Sequence, residues 1–76
     1  MQIVDRLTLD GELIAYCIGE DIPLSFQCKK IAVSGQEFSV LKSGSAKAFC
    51  GKMNALLTLD VRSLSEIPLG EITIIQ

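Results

Sequence analysis

Short apolar segments alternate with turn residues along the whole chain. A polar residue precedes glycine at Asp10-Gly11, Ser34-Gly35 and Ser43-Gly44, and each pair interrupts an apolar segment. Asp10-Gly11 separates residues 3–9 from residues 13–18 and is typical of a tight hairpin, because both central positions of such a turn need a positive φ. This pattern predicts an all-β domain, a small sandwich or barrel.

Alternation within the segments indicates which strands are buried. Residues 13–18 are apolar on both faces, which predicts a strand that is central or covered on both sides. The clearest strand late in the chain spans residues 55–61. One of its faces carries Ala55, Leu57, Leu59 and Val61, and the other carries Leu56, Thr58 and Asp60. Residues 72–75 are β-branched and predict a short final strand. Leu24, Phe26 and Cys28 share a face, whereas Ile31 and Val33 take the other parity, so we expect a bulge or sheet corner near Lys29-Lys30.

One segment, residues 45–57, allows two interpretations. Ala46, Phe49, Cys50, Met53 and Leu57 also fit helical spacing, with Ser45 as an N-cap. Gly51 would cost a helix interior about 1 kcal/mol relative to alanine. We therefore predict a loop or a single helical turn before the strand, and the alternative is an α+β fold with a helix at 45–57.

The composition bears on partners and location. Seventy-six residues predict a single domain, residues 1–76, in which 49% of residues are hydrophobic and the mean hydropathy is +0.42. This apolar excess predicts an interface with a protein partner or a second copy; the alternative is a dense aliphatic core in a monomer. No run approaches the ~20 apolar residues of a membrane helix, and the N-terminus lacks a signal-peptide pattern. We expect a cytoplasmic protein with no membrane partner.

The residue types argue against catalysis. Histidine is absent, which removes the common general base and the commonest metal ligand. Cys17, Cys28 and Cys50 form no Cys-x-x-Cys pair and are expected to be free thiols, although a thiol or metal site is an alternative that we keep. Neither nucleotide-binding glycine motif is present. The sequence therefore predicts a protein that is not an enzyme and needs no cofactor or metal.

Charge is distributed unevenly along the chain. Residues 1–28 carry a net charge of −4, residues 29–52 carry +4 and residues 53–76 carry −2. Lys42, Lys47 and Lys52 recur every five residues, with Phe49 among them, and are the candidate nucleic-acid-binding residues. The favoured interpretation is that Phe49 is buried and that the lysines keep the rim soluble, and the net charge of −2 does not favour binding to RNA.

The second half of the chain has a distinctive order of features: Ala48 and Gly51, then the alternating residues 55–61, then Glu66-Ile67-Pro68-Leu69-Gly70 leading into Glu71-Ile72-Thr73-Ile74. In this order it resembles the second-domain β-barrel of translation factors of the elongation factor Tu type. The resemblance implies a closed antiparallel β-barrel of about six strands and, through the family, an RNA- or ribosome-associated accessory role. Gln27 stands near a position where the family usually has glycine, and no GTPase segment is present.

Taken together, these patterns predict a non-catalytic binding module. The first hypothesis is protein–protein association, with a protein partner or as a homo-oligomer. The alternative is RNA or ribosome binding through the three lysines.

Overall fold

A computed structural model describes residues 1–19, 22, 27–47 and 53–75. All of its long elements are strands, and the part of the chain that it describes contains no α-helix. The strands are β1 (Gln2–Leu9), β2 (Glu12–Gly19), β3 (Lys30–Val33), β4 (Gln36–Lys47), β5 (Met53–Leu59) and β6 (Gly70–Ile75), with a 3₁₀ turn at Leu64–Glu66. The predicted all-β class is confirmed.

The six strands form one ring-like antiparallel sheet in the order β1-β2-β5-β4-β3-β6. The ring returns from β6 to β1 through only two residue pairs, Gln2 with Glu71 and Ile3 with Gly70. The Ile72 amide adds a hydrogen bond of 3.1 Å to the Met1 carbonyl. β2 lies between β1 and β5, so the strand with two apolar faces is central, as predicted.

Two tight hairpins set the register of four strands. Asp10 and Gly11 join β1 to β2 with φ of 51° and 76°, and Ser34 and Gly35 join β3 to β4 with φ of 52° and 80°. Positive φ at both central positions is the geometry whose twist matches a right-twisted hairpin. The hairpin predicted at Asp10-Gly11 is confirmed.

Register shifts interrupt two of the ladders. One lies between Ile3 and Asp5, and the other between Val40 and Lys42. The residues that they skip, Val4 and Leu41, are 39% and 63% exposed. The bulge or corner predicted near Lys29-Lys30 follows residues 23–26, which lie outside the described residues, and that prediction stays open.

The core fills the interior of the ring. In β5, Ala55, Leu57 and Leu59 are at most 2% exposed, whereas Leu56 between them is 40% exposed, which confirms the predicted alternation within the strand. Thr58 points outward but is only 8% exposed, and the predicted last members, Asp60 and Val61, lie beyond the end of β5. The remaining members of the core are Ile3, Ala15, Cys17, Ile22, Ile31, Val33, Phe38 and Ile67.

The α+β alternative at residues 45–57 is wrong. Ser45 lies within β4 and pairs with Ala55 of β5, so the proposed helix start is already part of a ladder. The ladder from residues 45–47 to residues 53–55 supplies cross-strand hydrogen bonds, which outweigh the helical spacing of a few apolar side chains. Phe49, Cys50 and Gly51 of that pattern lie outside the described residues. Within the described ranges, no helix is long and apolar enough to cross a membrane.

Candidate functional site

The fold presents four neighbouring strands on one side of the ring. We call the outward side chains of β1, β2, β5 and residues 42–45 of β4 the outer face. One row across it runs Asp5, Tyr16, Leu56 and Gly44, and the next runs Leu7, Ile14, Thr58 and Lys42. Glu12, Ile18 and Asn54 extend it along β2 and β5, and Leu9 extends it along β1.

The centre of the outer face is apolar. Tyr16 and Ile18 are half-buried, and Leu56 is 40% exposed. Ile14 is only 4% exposed although it lies outside the interior core, so its neighbours on the face already shield it. An aromatic ring surrounded by aliphatic side chains is the composition found at the centre of protein interfaces.

A groove of about 270 Å³ runs through this apolar centre. Tyr16, Gly44, Ser45, Asn54 and Leu56 line it. A Cβ atom placed on Gly44 would meet no other atom within 4 Å, so the absence of a side chain there keeps the groove open.

Asn54 is one of the polar residues that line the groove. Its Oδ1 is buried and has no hydrogen-bond partner among the described residues. Because this atom is enclosed by protein, a molecule in the groove would contact it only after the side chain rotates.

A polar network limits the apolar centre on the hairpin side. The Lys42 ammonium lies 3.0 Å from the Glu12 carboxylate, and the Thr58 hydroxyl donates a hydrogen bond of 3.1 Å to its other oxygen. These two hydrogen bonds hold the pKa of Glu12 below its usual value of 4.5, and the bond from Lys42 has the larger effect. Glu12 is therefore ionised at neutral pH and compensates the charge of Lys42.

The predicted lysines do not form one described cluster. Lys42 is exposed on the outer face and is ion-paired to Glu12. Lys47 is the last residue of β4 and is in register with Met53. It lies five residues after Lys42 in the same strand, which is about 17 Å along the backbone. Lys52 and Phe49 lie outside the described residues, and the RNA hypothesis stays a prediction.

The described thiols are poorly suited to chemistry. Cys17 is fully buried, and its burial raises its pKa to about 12. Burial also raises the pKa of the half-buried Cys28. Nucleophilic attack and metal binding both require the thiolate, which these environments disfavour. Among the residues with described positions, no three Cys, Asp or Glu side chains gather into a metal-binding group.

Two wider grooves meet at residues 27–29. One, of about 540 Å³, extends to Lys30, Ile74 and Ile75, and the other, of about 500 Å³, extends along β4 from Val40 to Ser43. Lys30 is ion-paired with Glu37 at 3.3 Å. Neither groove brings together a described set of residues that points to a ligand, so we assign them none.

Comparisons with family models, with curated proteins and with solved structures find no match to this chain.

The groove at Gly44 was not predicted from the sequence. The two apolar faces of β2 indicated a covered strand, but only the register places Tyr16, Leu56 and Gly44 in one row.

Proposed function

We propose that this chain is a non-catalytic protein-binding module and that the outer face is its contact surface. The observation that carries this proposal is the apolar row of Tyr16 and Leu56 beside the open groove at Gly44. Apolar side chains in the middle of a face, with charged residues at its border, are the usual arrangement of a binding surface.

The energetics of the face agree with binding. Covering the exposed part of Leu56, the half-buried ring of Tyr16 and the methyl groups of Ile18 removes apolar area from water, at about 25 cal/mol per Å². This term favours a bound state over the free one.

Site-specific photo-crosslinking tests this proposal. A benzophenone amino acid replaces Leu56 on the outer face and, in a matched control, replaces Leu69, which is 49% exposed just before β6. After irradiation in extracts of cells that make the protein, we expect a discrete adduct, identified by mass spectrometry, from position 56 and not from position 69. Adding Gly44→Arg should abolish it by filling the groove. Adducts of equal yield at both positions, or none at position 56, would reject the outer face as the contact surface.

The RNA hypothesis needs its own experiment. Lys42, Lys47 and Lys52 are replaced together by glutamate, and retention of labelled RNA on a filter is measured from low to physiological salt. Binding through these lysines predicts salt-sensitive retention by the wild type that the triple variant loses. Equal retention by both proteins, or none at low salt, would end this hypothesis.

A further inference from the structure

We infer that the partner of the outer face is a second copy of this chain, packed face to face about a two-fold axis parallel to the strands. This inference rests on the proposed function and names its partner. The distribution of charge across the face determines both the partner and the direction of the axis.

The two borders of the outer face carry opposite charge. The exposed carboxylate of Asp5 lies on β1, and that of Asp10 lies in the turn after it. The ammonium of Lys42 lies on the β4 side and is 71% exposed; it is paired with Glu12, and its three N–H donors allow it to bind a second carboxylate as well. A two-fold axis parallel to the strands places β1 of one copy over β4 of the other. The carboxylates then approach the lysine twice per dimer. An axis perpendicular to the strands would place β1 over β1 and bring the carboxylates together, which is unfavourable.

The same axis matches the apolar residues. Because β2 and β5 are the two middle strands, it places Tyr16 of one copy over Leu56 of the other, and the reverse pair forms by symmetry. Gly44 lies in this row at the β4 border, where the second copy's Asp5 arrives. The missing side chain lets the backbones approach, and Lys42 stands two residues away within reach of that carboxylate.

The size of the face predicts a weak dimer. Four strands spaced about 4.8 Å apart are about 19 Å wide, and the eight residues of β2 span about 26 Å. When two such faces pack together, they cover roughly 1,000 Å² of surface in total, which is the lower limit for a specific interface. We therefore expect a reversible dimer with a dissociation constant in the micromolar range or weaker.

Charge reversal on each border tests the arrangement. Asp5→Lys and Lys42→Glu are made separately, and the dissociation constant is measured by sedimentation equilibrium from micromolar to millimolar protein. Exposed pairs contribute about 0.2–1 kcal/mol each, and the dimer contains two of them, so each variant should dimerise about tenfold more weakly. An equimolar mixture of the two variants should recover an affinity near that of the wild type, because both borders of the mixed dimer again carry opposite charges.

Two controls separate the interface from other effects of charge. Glu37→Lys makes the same change in net charge as Asp5→Lys but lies outside the outer face, where Glu37 pairs with Lys30, and should leave the association unchanged. Lys42→Glu also places a second carboxylate near Glu12, so its thermal unfolding is recorded by circular dichroism. The recovery in the mixture does not depend on that effect, because it compares the same folded chains alone and together.

The outcomes distinguish this inference from the proposed function. Recovery in the mixture, together with a self-adduct from the crosslinker at position 56, supports the two-fold dimer. A wild type that stays monomeric at millimolar concentration, or a mixture no tighter than its components, overturns it. If position 56 then crosslinks specifically to a different protein, the outer face remains a binding surface and only the second copy is rejected. If RNA is recovered there instead, both proposals fail.

Discussion

Leu56 and Leu57 are adjacent in β5 but lie on opposite faces of the sheet, and their alanine variants should differ sharply in stability. Leu57 is fully buried in the interior, whereas Leu56 is 40% exposed on the outer face. The two substitutions remove the same atoms from neighbouring positions in one strand. Each variant is therefore the matched control of the other.

The magnitudes follow from burial. Replacing leucine with alanine removes about three carbon groups, which are worth about 0.8 kcal/mol each when fully buried. At Leu57 a cavity term adds to this, so the free energy of unfolding should fall by about 3–4 kcal/mol. At Leu56 the removed atoms are partly hydrated already and leave no cavity, so the loss should be about 1 kcal/mol. A domain of this size is expected to have roughly 4–11 kcal/mol of stability in total.

Urea denaturation, followed by far-ultraviolet circular dichroism, measures both losses. With a slope of about 1 kcal/mol per molar urea for so small a domain, the midpoint should fall by about 3 M for Leu57→Ala and by about 1 M for Leu56→Ala. Unchanged slopes would show that the denatured state is unaffected. Equal midpoints for the two variants, or a larger loss at Leu56, would refute the inward and outward assignment of β5, and with it the outer face.

Three further results are expected from the same structure. Gly11→Ala should lower the unfolding free energy by about 1 kcal/mol because φ is 76° there, whereas Gly44→Ala, in open space without a positive φ, should be neutral or slightly stabilising, as urea midpoints would show. The depressed pKa of Glu12 stabilises the fold above its unfolded pKa, so the stability difference between wild type and Glu12→Gln should disappear as the pH falls through the folded value; a difference that persists at pH 2 would contradict this. In the native protein, iodoacetamide should label Cys28 before Cys17, because Cys17 is fully buried with a pKa raised to about 12; peptide mapping that finds Cys17 labelled first would contradict it.

Much of the fold could be predicted from local patterns. The Asp10-Gly11 pair defines a hairpin because few residues other than glycine, asparagine and aspartate accept positive φ. The alternation of β5 predicts its buried side because side chains in a strand have a period of two. Both signals act within a few residues of the chain, so neither needs knowledge of distant neighbours. The resemblance to translation-factor barrels rests on the same local rhythm and stays a prediction.

The candidate site depends instead on contacts between distant segments. Gly44 and Tyr16 are 28 positions apart in the sequence. They line the same groove only because β5 lies between β2 and β4 and places Leu56 next to both of them. The register shift at Leu41 then decides that Gly44, rather than Ser43, stands beside Leu56 on the outer face. Without the extra residue at this bulge, the side chains of β4 that follow it would each point to the opposite side of the sheet. No pattern in residues 36–47 specifies the bulge by itself, so the groove could not be predicted.

The uneven charge along the chain acquires a spatial meaning through the strand order. β1 and β2 come from the acidic first third of the sequence, and β4 comes from the basic middle third. Had the six strands followed one another in simple succession, β3 would separate β2 from β4. Because β5 is inserted between β2 and β4 instead, the acidic β1 side and Lys42 of β4 come to lie on a single face, and Lys42 pairs across β5 with Glu12 of β2. A surface with opposite charges at its two borders and an apolar centre is complementary to itself after a two-fold rotation. The same strand order that builds the core therefore also produces the charge layout on which the proposed dimer rests.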